Sequence, residues 1–319
     1  MQSVAFRADA YHLVRCMNMS GPNRPVTPLL MLSFGATCIS FAAIFVKLLG
    51  MERMWPTAIG FWRTLFGAAI LFGWTSLRGN RLAVPGPVIL WSLAAGFLFF
   101  LDLFFWHRSI LYSGAGMATI LANTQVFGTA VLSYLVLRER LSLKFFVAAV
   151  CAIIGVVLLI GIGSNIELTT PYLRGVLFGL LTGVVYAHYI IVLKIAGHKD
   201  DRLSFLTLMA WTSLFSAFFL GVAGLIESDP LLPPDWFSVG ILFVLGLVAQ
   251  AMGWWLIAGS LPRINASRSG LALLLQPVLA TVWGVIFFGE YLTLIQILGA
   301  VITLLAIYVG SVRVRKGLT

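Results

Sequence analysis

Long apolar segments separated by short polar breaks run along almost the whole chain. Ten of these segments approach or reach the roughly 20 residues that an α-helix needs to cross the ~30 Å hydrocarbon core of a bilayer. The breaks contain charges or turn-forming residues, as in "RGNRLAVPGP" and "GHKDDR". The pattern predicts an all-α polytopic membrane protein with ten transmembrane helices, span 1 to span 10, over residues 29–49, 56–77, 87–108, 114–136, 143–163, 172–195, 203–226, 236–259, 265–288 and 293–312.

The composition supports the membrane class. Of the 319 residues, 60% are hydrophobic and only 10% are charged, whereas soluble domains are about 25% charged. The net charge of +10 would suggest a nucleic-acid partner in a soluble protein, but basic cytoplasmic loops explain it here and no nucleic acid is expected. The three cysteines are scattered along the chain, so neither a disulfide framework nor a cysteine metal site is implied.

The basic residues are distributed unevenly over the loops. If the N-terminus is inside, sixteen of the 21 Lys and Arg residues lie in segments on the inner side and three in segments on the outer side. Because cytoplasmic loops carry the excess of basic residues, both termini are expected to be cytoplasmic and the protein to lie in the cell (inner) membrane. Residues 1–28 are then a cytoplasmic arm expected to be disordered, and residues 313–319 a basic cytoplasmic tail.

Two polar residues recur at the same interval in two places. Gln125 and Glu139 are followed 151 residues later by Gln276 and Glu290, and the block "WRTLFGA" recurs 149 residues later as "WTSLFSA". Each Gln lies near the middle of its span, and each Glu lies about 21 Å further along the helix axis, at a membrane interface. The slowly changing offset indicates two copies of one unit.

Each copy contains five spans, in residues 29–163 and 172–312. Five is an odd number, so the two copies cross the membrane in opposite directions. Such inverted-topology repeats recur in secondary transporters, which bind their substrate near the bilayer midplane between the repeats. The sequence therefore predicts alternating access around a midplane cavity.

Motifs at the end of the fourth span of each copy carry a family resemblance. "LRERL" (137–141) is echoed by "FGEYL" (288–292), and each follows a stretch rich in small residues, "GAGMATILANTQ" and "NASRSGLALLLQP". With the duplicated unit, these motifs resemble the drug/metabolite transporter superfamily, specifically its ten-helix EamA-type exporters, over residues 29–312. The family usually has a proline in the middle of this span. Pro277 supplies it in the second copy, but Val126 stands there in the first.

The resemblance implies export of amino acids or related small metabolites, with spans 1–4 and 6–9 around the cavity and spans 5 and 10 peripheral. Small relatives in the superfamily carry a glutamate in the first helix, which exchanges a proton for a cationic drug. Here Lys47 and its repeat mate Lys194 end the equivalent helices, and Asp102 is the only deep acid. A zwitterionic or anionic substrate is therefore favoured.

Several alternatives stay open at this stage. One is proton-coupled efflux of drugs or amines, and another is a membrane scaffold or receptor without transport. The expected partners are a small-molecule substrate and the lipid bilayer. Proton coupling and the choice between monomer and homodimer are open.

Polar amides near the middle of the spans are the first candidates for the cavity wall. They are Asn123, Gln125, Gln250 and Gln276. A polar amide in hydrocarbon must find hydrogen-bond partners, either on a substrate or on a neighbouring helix. Both interpretations are open for these residues.

Lys47, Arg63 and Asp102 are ionisable residues in one half of the bilayer. Ionisable groups inside a membrane are expensive and are therefore candidates for a functional site, here for gating or coupling. The structural alternative is that Arg63 and Asp102 pair to lock two helices and that Lys47 extends toward the interface.

Aromatic residues and one histidine complete the candidates. The repeated pair Trp62 and Trp211 is expected at the cavity wall, whereas other tryptophans belong to packing or to the interfacial belt. His188 could titrate near neutral pH, and Tyr186 lies beside it in span 6. The alternative for His188 is a hydrogen-bonded packing role.

Signatures of enzymes are absent from the sequence. It contains no Walker A motif, no H-E-x-x-H, no G-x-S-x-G and no Cys/His metal spacing. We therefore expect a protein that is not an enzyme and that has no metal or cofactor.

Overall fold

The computed structural model describes residues 26–50, 53–137, 143–162, 167–197, 204–260 and 272–311, and every regular element within these ranges is a helix. Span 1 consists of Val26–Ser40 and Ala42–Gly50, span 2 of Pro56–Leu77, span 3 of Gly86–Ser113, span 4 of Ala115–Asn123 and Gln125–Leu137, span 5 of Leu143–Leu159, span 6 of Thr170–Gly197, span 7 of Phe205–Ile226, span 8 of Trp236–Leu245, the π-helical Gly246–Gly253 and Trp254–Ser260, span 9 of Leu275–Phe288, and span 10 of Leu294–Ser311.

The helices confirm the predicted fold class. Six are long and apolar enough to cross a membrane, three shorter apolar helices form spans 5, 9 and 10, and span 2 contributes 22 residues. The ten predicted spans are all present as helices. The first 25 residues of the predicted arm, the tail at 313–319 and Glu139 lie outside the described residues. The boundaries of the two repeats remain a prediction.

The spans pack with a two-fold pattern that exchanges the repeats. Span 3 packs on span 6, and correspondingly span 8 packs on span 1; span 4 packs on span 6 and span 9 on span 1; span 7 packs on span 3 and span 2 on span 8. Spans 2 and 7, spans 4 and 9, and spans 5 and 10 also pack on each other, and each of these pairs consists of equivalent spans from the two repeats. Each repeat contributes five spans, so the pseudo-two-fold axis lies in the membrane plane, as in an inverted repeat.

Two tryptophans make the same symmetric contact at opposite membrane faces. The Trp62 Nε1–H donates to the Leu231 carbonyl over 2.7 Å, and the Trp211 Nε1–H donates to the Leu82 carbonyl over 2.9 Å. Both the tryptophans and the carbonyls are related by 149 residues. The face that carries the loops after spans 1, 3, 7 and 9 is called the predicted outer face, because the charge distribution predicts that it is extracellular.

Span 4 and span 9 are both interrupted next to the polar residues that the repeat singled out. In span 4 the Thr124 hydroxyl donates to the Leu121 backbone carbonyl over 2.6 Å. Hydrogen bonds of this kind, from a side chain to the backbone of the preceding turn, often bend helices. In span 9 the interruption at Leu274 precedes Pro277, which has no N–H for the helical ladder. The first copy is thus interrupted without a proline, at a threonine whose hydroxyl is hydrogen-bonded to the backbone of the preceding turn.

Spans 5 and 10 approach closely at the edge of the bundle. A Cβ atom on Gly299 would overlap the Leu159 backbone nitrogen, so only glycine permits this contact. On the far side of both spans, large apolar side chains such as Ile153 and Leu305 are exposed. Such a surface faces lipid in a membrane protein, consistent with the peripheral position expected for these spans.

Candidate functional site

A cavity with charged and amide side chains in a largely apolar wall lies between the two repeats. Its charged and amide side chains are Arg63, Asp102, Asn123 and Gln276, and Ile39, Ser40, Phe99, Leu103, Trp106, Thr119, Ala122, Thr182, Tyr186 and Trp254 complete the lining. Its free volume is about 60 Å³, room for a few water molecules. By helix rise, Asp102 lies ~16 Å below the end of span 3 at the predicted outer face, and Gln276 lies ~18 Å below the equivalent end of span 9. The cavity is therefore close to the bilayer midplane.

A basic and an acidic side chain, Arg63 and Asp102, line this cavity without a direct ion pair between them. Arg63 is 3% exposed and Asp102 is 7% exposed. No ion pair joins them among the described residues, and Arg63 Nε and Asp102 Oδ1 have no hydrogen-bond partner there. The guanidinium lies over the Trp106 ring at 5.5 Å from its centroid. The predicted lock between two helices is therefore not present as an ion pair.

His107, which is fully buried, contacts the Arg63 guanidinium. Its Nδ1 lies 3.1 Å from the Pro56 carbonyl oxygen, and its Nε2 lies 3.5 Å from Arg63 Nη1. A carbonyl oxygen can only accept, so Nδ1 carries the proton and Nε2 is left as the acceptor toward Arg63. A neutral imidazole thus supports the charged group, a role that the sequence did not suggest.

The buried charges are costly. On insertion scales an Arg or Asp at the centre of a membrane helix costs about 2.5–3.5 kcal/mol, and such residues face cavities and mark transport pathways. Arg63 and Asp102 lie on spans 2 and 3 of the first repeat, and both border the same cavity. Packing alone gives no reason to keep both charges at this depth.

The amide candidates differ in position. Asn123 Nδ2 donates to the Thr119 carbonyl over 2.8 Å, which leaves its Oδ1 for the cavity. The Gln276 amide makes no hydrogen bond within the described part of the chain. Gln125 is not among the described residues that line the cavity, because its Oε1 accepts from the Thr129 hydroxyl over 2.8 Å, one turn further along span 4.

Gln250 and His188 point elsewhere. Gln250 is fully buried in the π-helical part of span 8, where its Nε2 donates to the Ser213 hydroxyl over 3.0 Å, so it joins spans 7 and 8. His188 is exposed on the outside of the bundle, with Nδ1 2.9 Å from the Val184 carbonyl of its own helix. Neither side chain lines the cavity in the described structure.

Trp62 and Trp211 were expected at the cavity wall, but their indole N–H groups donate hydrogen bonds to backbone carbonyls in loops of the opposite repeat. Within the described residues, the aromatic cavity wall consists instead of Phe99, Trp106, Tyr186 and Trp254. Of these, only Tyr186 was a sequence candidate. Aromatic residues make up 13% of the chain and occur in nearly every span, so their number carried no signal for the three that were missed.

Lys47 lies near the predicted outer face rather than in the cavity. Its Nζ forms an ion pair with Glu290 Oε1 at 2.5 Å, and the same oxygen accepts from the Ala115 backbone N–H over 2.9 Å. The side chains of Lys47 and Glu290 are only 16% and 17% exposed. Glu290 therefore links span 9 of the second repeat to spans 1 and 4 of the first.

Two more ion pairs join the repeats at the same face. Arg108 binds Glu227 at 2.6 Å and Arg53 binds Asp235 at 3.0 Å, the latter pair with both side chains 44% exposed. Asp235 also caps span 8, and the hydrogen bond that its Oδ1 accepts from the Ser238 backbone N–H lowers the pKa of Asp235 below its usual value. All three ion pairs found among the described residues thus bridge the two repeats near the predicted outer face.

Ten spans in two inverted repeats around a cavity near the bilayer midplane are an arrangement that recurs in secondary transporters. The family model of the EamA-like transporter family matches residues 26–161 and 173–312. The chain therefore belongs to the EamA-like transporter family, within the drug/metabolite transporter superfamily, and it is a transporter rather than an enzyme.

Curated relatives are similar at modest identity. "Uncharacterized transporter YwfM" of Bacillus subtilis (strain 168) is 27% identical over 276 residues, which cover 85% of this chain and 89% of that protein. A "Probable amino-acid metabolite efflux pump" of Salmonella typhimurium is 28% identical over 210 residues, 63% of this chain and 70% of that protein. A solved structure superposes with a TM-score of 0.65 at 17% identity over 90% of this chain and 99% of its own, which supports the fold alone.

Proposed function

We propose that this protein exports amino acids or closely related small metabolites across the cytoplasmic (inner) membrane by alternating access, with both termini in the cytoplasm. The observation that carries the proposal is the midplane cavity between the repeats, where Arg63 and Asp102 are buried without pairing. The name of the Salmonella relative supports the substrate class, and the distribution of basic residues supports the orientation.

The two-fold packing supports the transport mechanism. Exchanging the conformations of two inverted repeats converts a cavity open to one face into a cavity open to the other. Because Glu290 joins the repeats near the predicted outer face, its contacts must loosen before a substrate can leave on that side. The substrate then enters the cavity from the cytoplasm and leaves on the outer side once the Glu290 contacts have loosened.

Arg63 disfavours the amine-export alternative. A cavity selective for cations would present only negative or neutral groups, because a buried guanidinium repels a cationic ligand. The scaffold alternative is also disfavoured, because an inert bundle would gain stability from apolar residues at Arg63 and Asp102.

The test is flux from liposomes that contain the purified protein. The liposomes are loaded with labelled amino acids, amines or nucleotides, and efflux is compared with that from protein-free liposomes. We expect saturable efflux of one or more amino acids. Absence of flux or exchange for every compound would reject the proposal, and the response to an imposed pH gradient determines whether protons are coupled.

A further inference from the structure

The unpaired charges in the cavity suggest how a ligand is held. Arg63 and Asp102 are both almost fully buried, and each has a polar atom without a hydrogen-bond partner among the described residues. A ligand that carries one charge would satisfy one of them and leave the other desolvated. A ligand that carries both charges on one small head group would satisfy both at once.

We propose, resting on the proposed transport function, that Arg63 and Asp102 together recognise the zwitterionic head group of an α-amino acid. The guanidinium of Arg63 binds the carboxylate, for which its planar fork of N–H donors is suited. The Asp102 carboxylate accepts from the ammonium group. Substrates therefore need a free amino group and a free carboxyl group.

The site is chemically asymmetric although the scaffold is symmetric. At the repeat offsets of 149 and 150 residues, Thr212 corresponds to Arg63 and Met252 corresponds to Asp102. The second repeat thus has no charge at either equivalent position. Spans 2 and 3 of the first repeat thus bind the head group, while the second repeat contributes Tyr186, Trp254 and Gln276 to the same cavity.

The contacts that His107 and Trp106 make with Arg63 agree with this assignment. His107 presents its unprotonated Nε2 to Arg63 Nη1, and Trp106 covers the guanidinium face. Neither contact neutralises the positive charge. Arg63 Nε is left without a partner among the described residues, so the guanidinium keeps hydrogen-bonding capacity for a carboxylate.

The experiment compares charge analogues of one transported compound in the liposome assay. For each L-amino acid that the wild-type protein exports, competition is measured with its amide, which lacks the carboxylate, with its 2-hydroxy acid, which lacks the ammonium, and with its decarboxylated amine. We expect each analogue to compete at least tenfold more weakly than the parent amino acid. Equal competition by any of the three analogues would overturn the inference, while the proposed function would stand.

Near-isosteric variants give the second test. We expect Arg63→Gln and Asp102→Asn each to slow amino-acid export at least tenfold. Asp102→Asn should also shift the selectivity toward the 2-hydroxy acid, and Arg63→Gln toward the amine. Gln125→Ala, which alters an amide not among the described lining residues, is the control and should leave the selectivity unchanged.

The two variants must shift selectivity in opposite directions, which a merely structural role would not produce. If folded variants lost competition by all the analogues to the same extent, the assignment would be overturned. If a variant does not fold, the analogue series on the wild-type protein still decides. Absence of any amino-acid flux in the wild type would instead reject the proposed function.

Discussion

Neutralising Glu290 should open the predicted outer face. Its carboxylate forms an ion pair with Lys47 Nζ at 2.5 Å and accepts a hydrogen bond from the Ala115 N–H over 2.9 Å. These contacts connect the two repeats. In Glu290→Gln the amide oxygen can still accept from Ala115, but the charge that attracts Lys47 is lost. The substitution therefore weakens the closed arrangement without removing the side chain.

The size of the effect follows from the burial of the pair. A hydrogen bond to a charged group contributes about 1.5–3 kcal/mol, and a pair that is 16% and 17% exposed is only partly screened by solvent. A loss of about 2 kcal/mol corresponds to a shift of about 30-fold in the equilibrium between closed and open forms. An open form populated at about 1% would rise to about a quarter of the molecules.

Distances between spin labels at Trp55 and Tyr291 provide the assay. Both residues are exposed at the predicted outer face, one in each repeat, and the native cysteines are replaced by serine. The longer-distance population should increase in Glu290→Gln. Asp235→Asn is the matched control, because its ion pair with Arg53 is solvent-exposed, and it should resemble the wild type. Identical distance distributions for wild type and Glu290→Gln would show that the Glu290 charge does not hold the predicted outer face closed.

Three further predictions test the site and the packing. Gln276→Ala should slow export several-fold while Gln125→Ala leaves it near wild type, since only the former borders the cavity; equal flux in the two variants would contradict this. Trp62→Phe should lower the stability by about 1 kcal/mol through loss of its hydrogen bond to the loop, measured as a lower melting temperature in detergent, and an unchanged value would contradict it. Gly299→Ala should destabilise by about 1–3 kcal/mol through backbone overlap. Gly73→Ala, where a Cβ meets nothing within 4 Å and the helix favours alanine, should not destabilise, and equal melting of the two glycine variants would show that spans 5 and 10 do not approach as described.

The spans and the repeat could be predicted because they depend only on local composition and on residue spacing. The apolar length of each segment requires a helix, and the recurrence of Gln125 and Glu139 as Gln276 and Glu290 marks the duplicated unit. The repeat also related Trp62 to Trp211, and the structure gives these two residues equivalent contacts. Their role was not predictable, because the two carbonyls they bind belong to loops of the opposite repeat.

Side-chain direction at the site could not be predicted from the repeat alone. Gln125 and Gln276 occupy equivalent positions in the sequence, yet the interruption at Thr124 leaves Gln125 bonded within its own helix. His107 gave no signal, because a single histidine in an apolar segment is equally consistent with packing. The partner of Lys47 is 243 residues away, so only the assembled fold brings the pair together.

The reactivity of a cysteine in the cavity tests whether this cavity opens in turn to the two sides of the membrane. Thr119→Cys places a thiol of similar size on the cavity wall, in a protein without its native cysteines. We predict that a membrane-impermeant alkylating reagent modifies this thiol from either side of the membrane, and that transported amino acids slow the reaction from both sides. A thiol that reacts from one side only, or at a rate that transported amino acids leave unchanged, would contradict alternating access through this cavity.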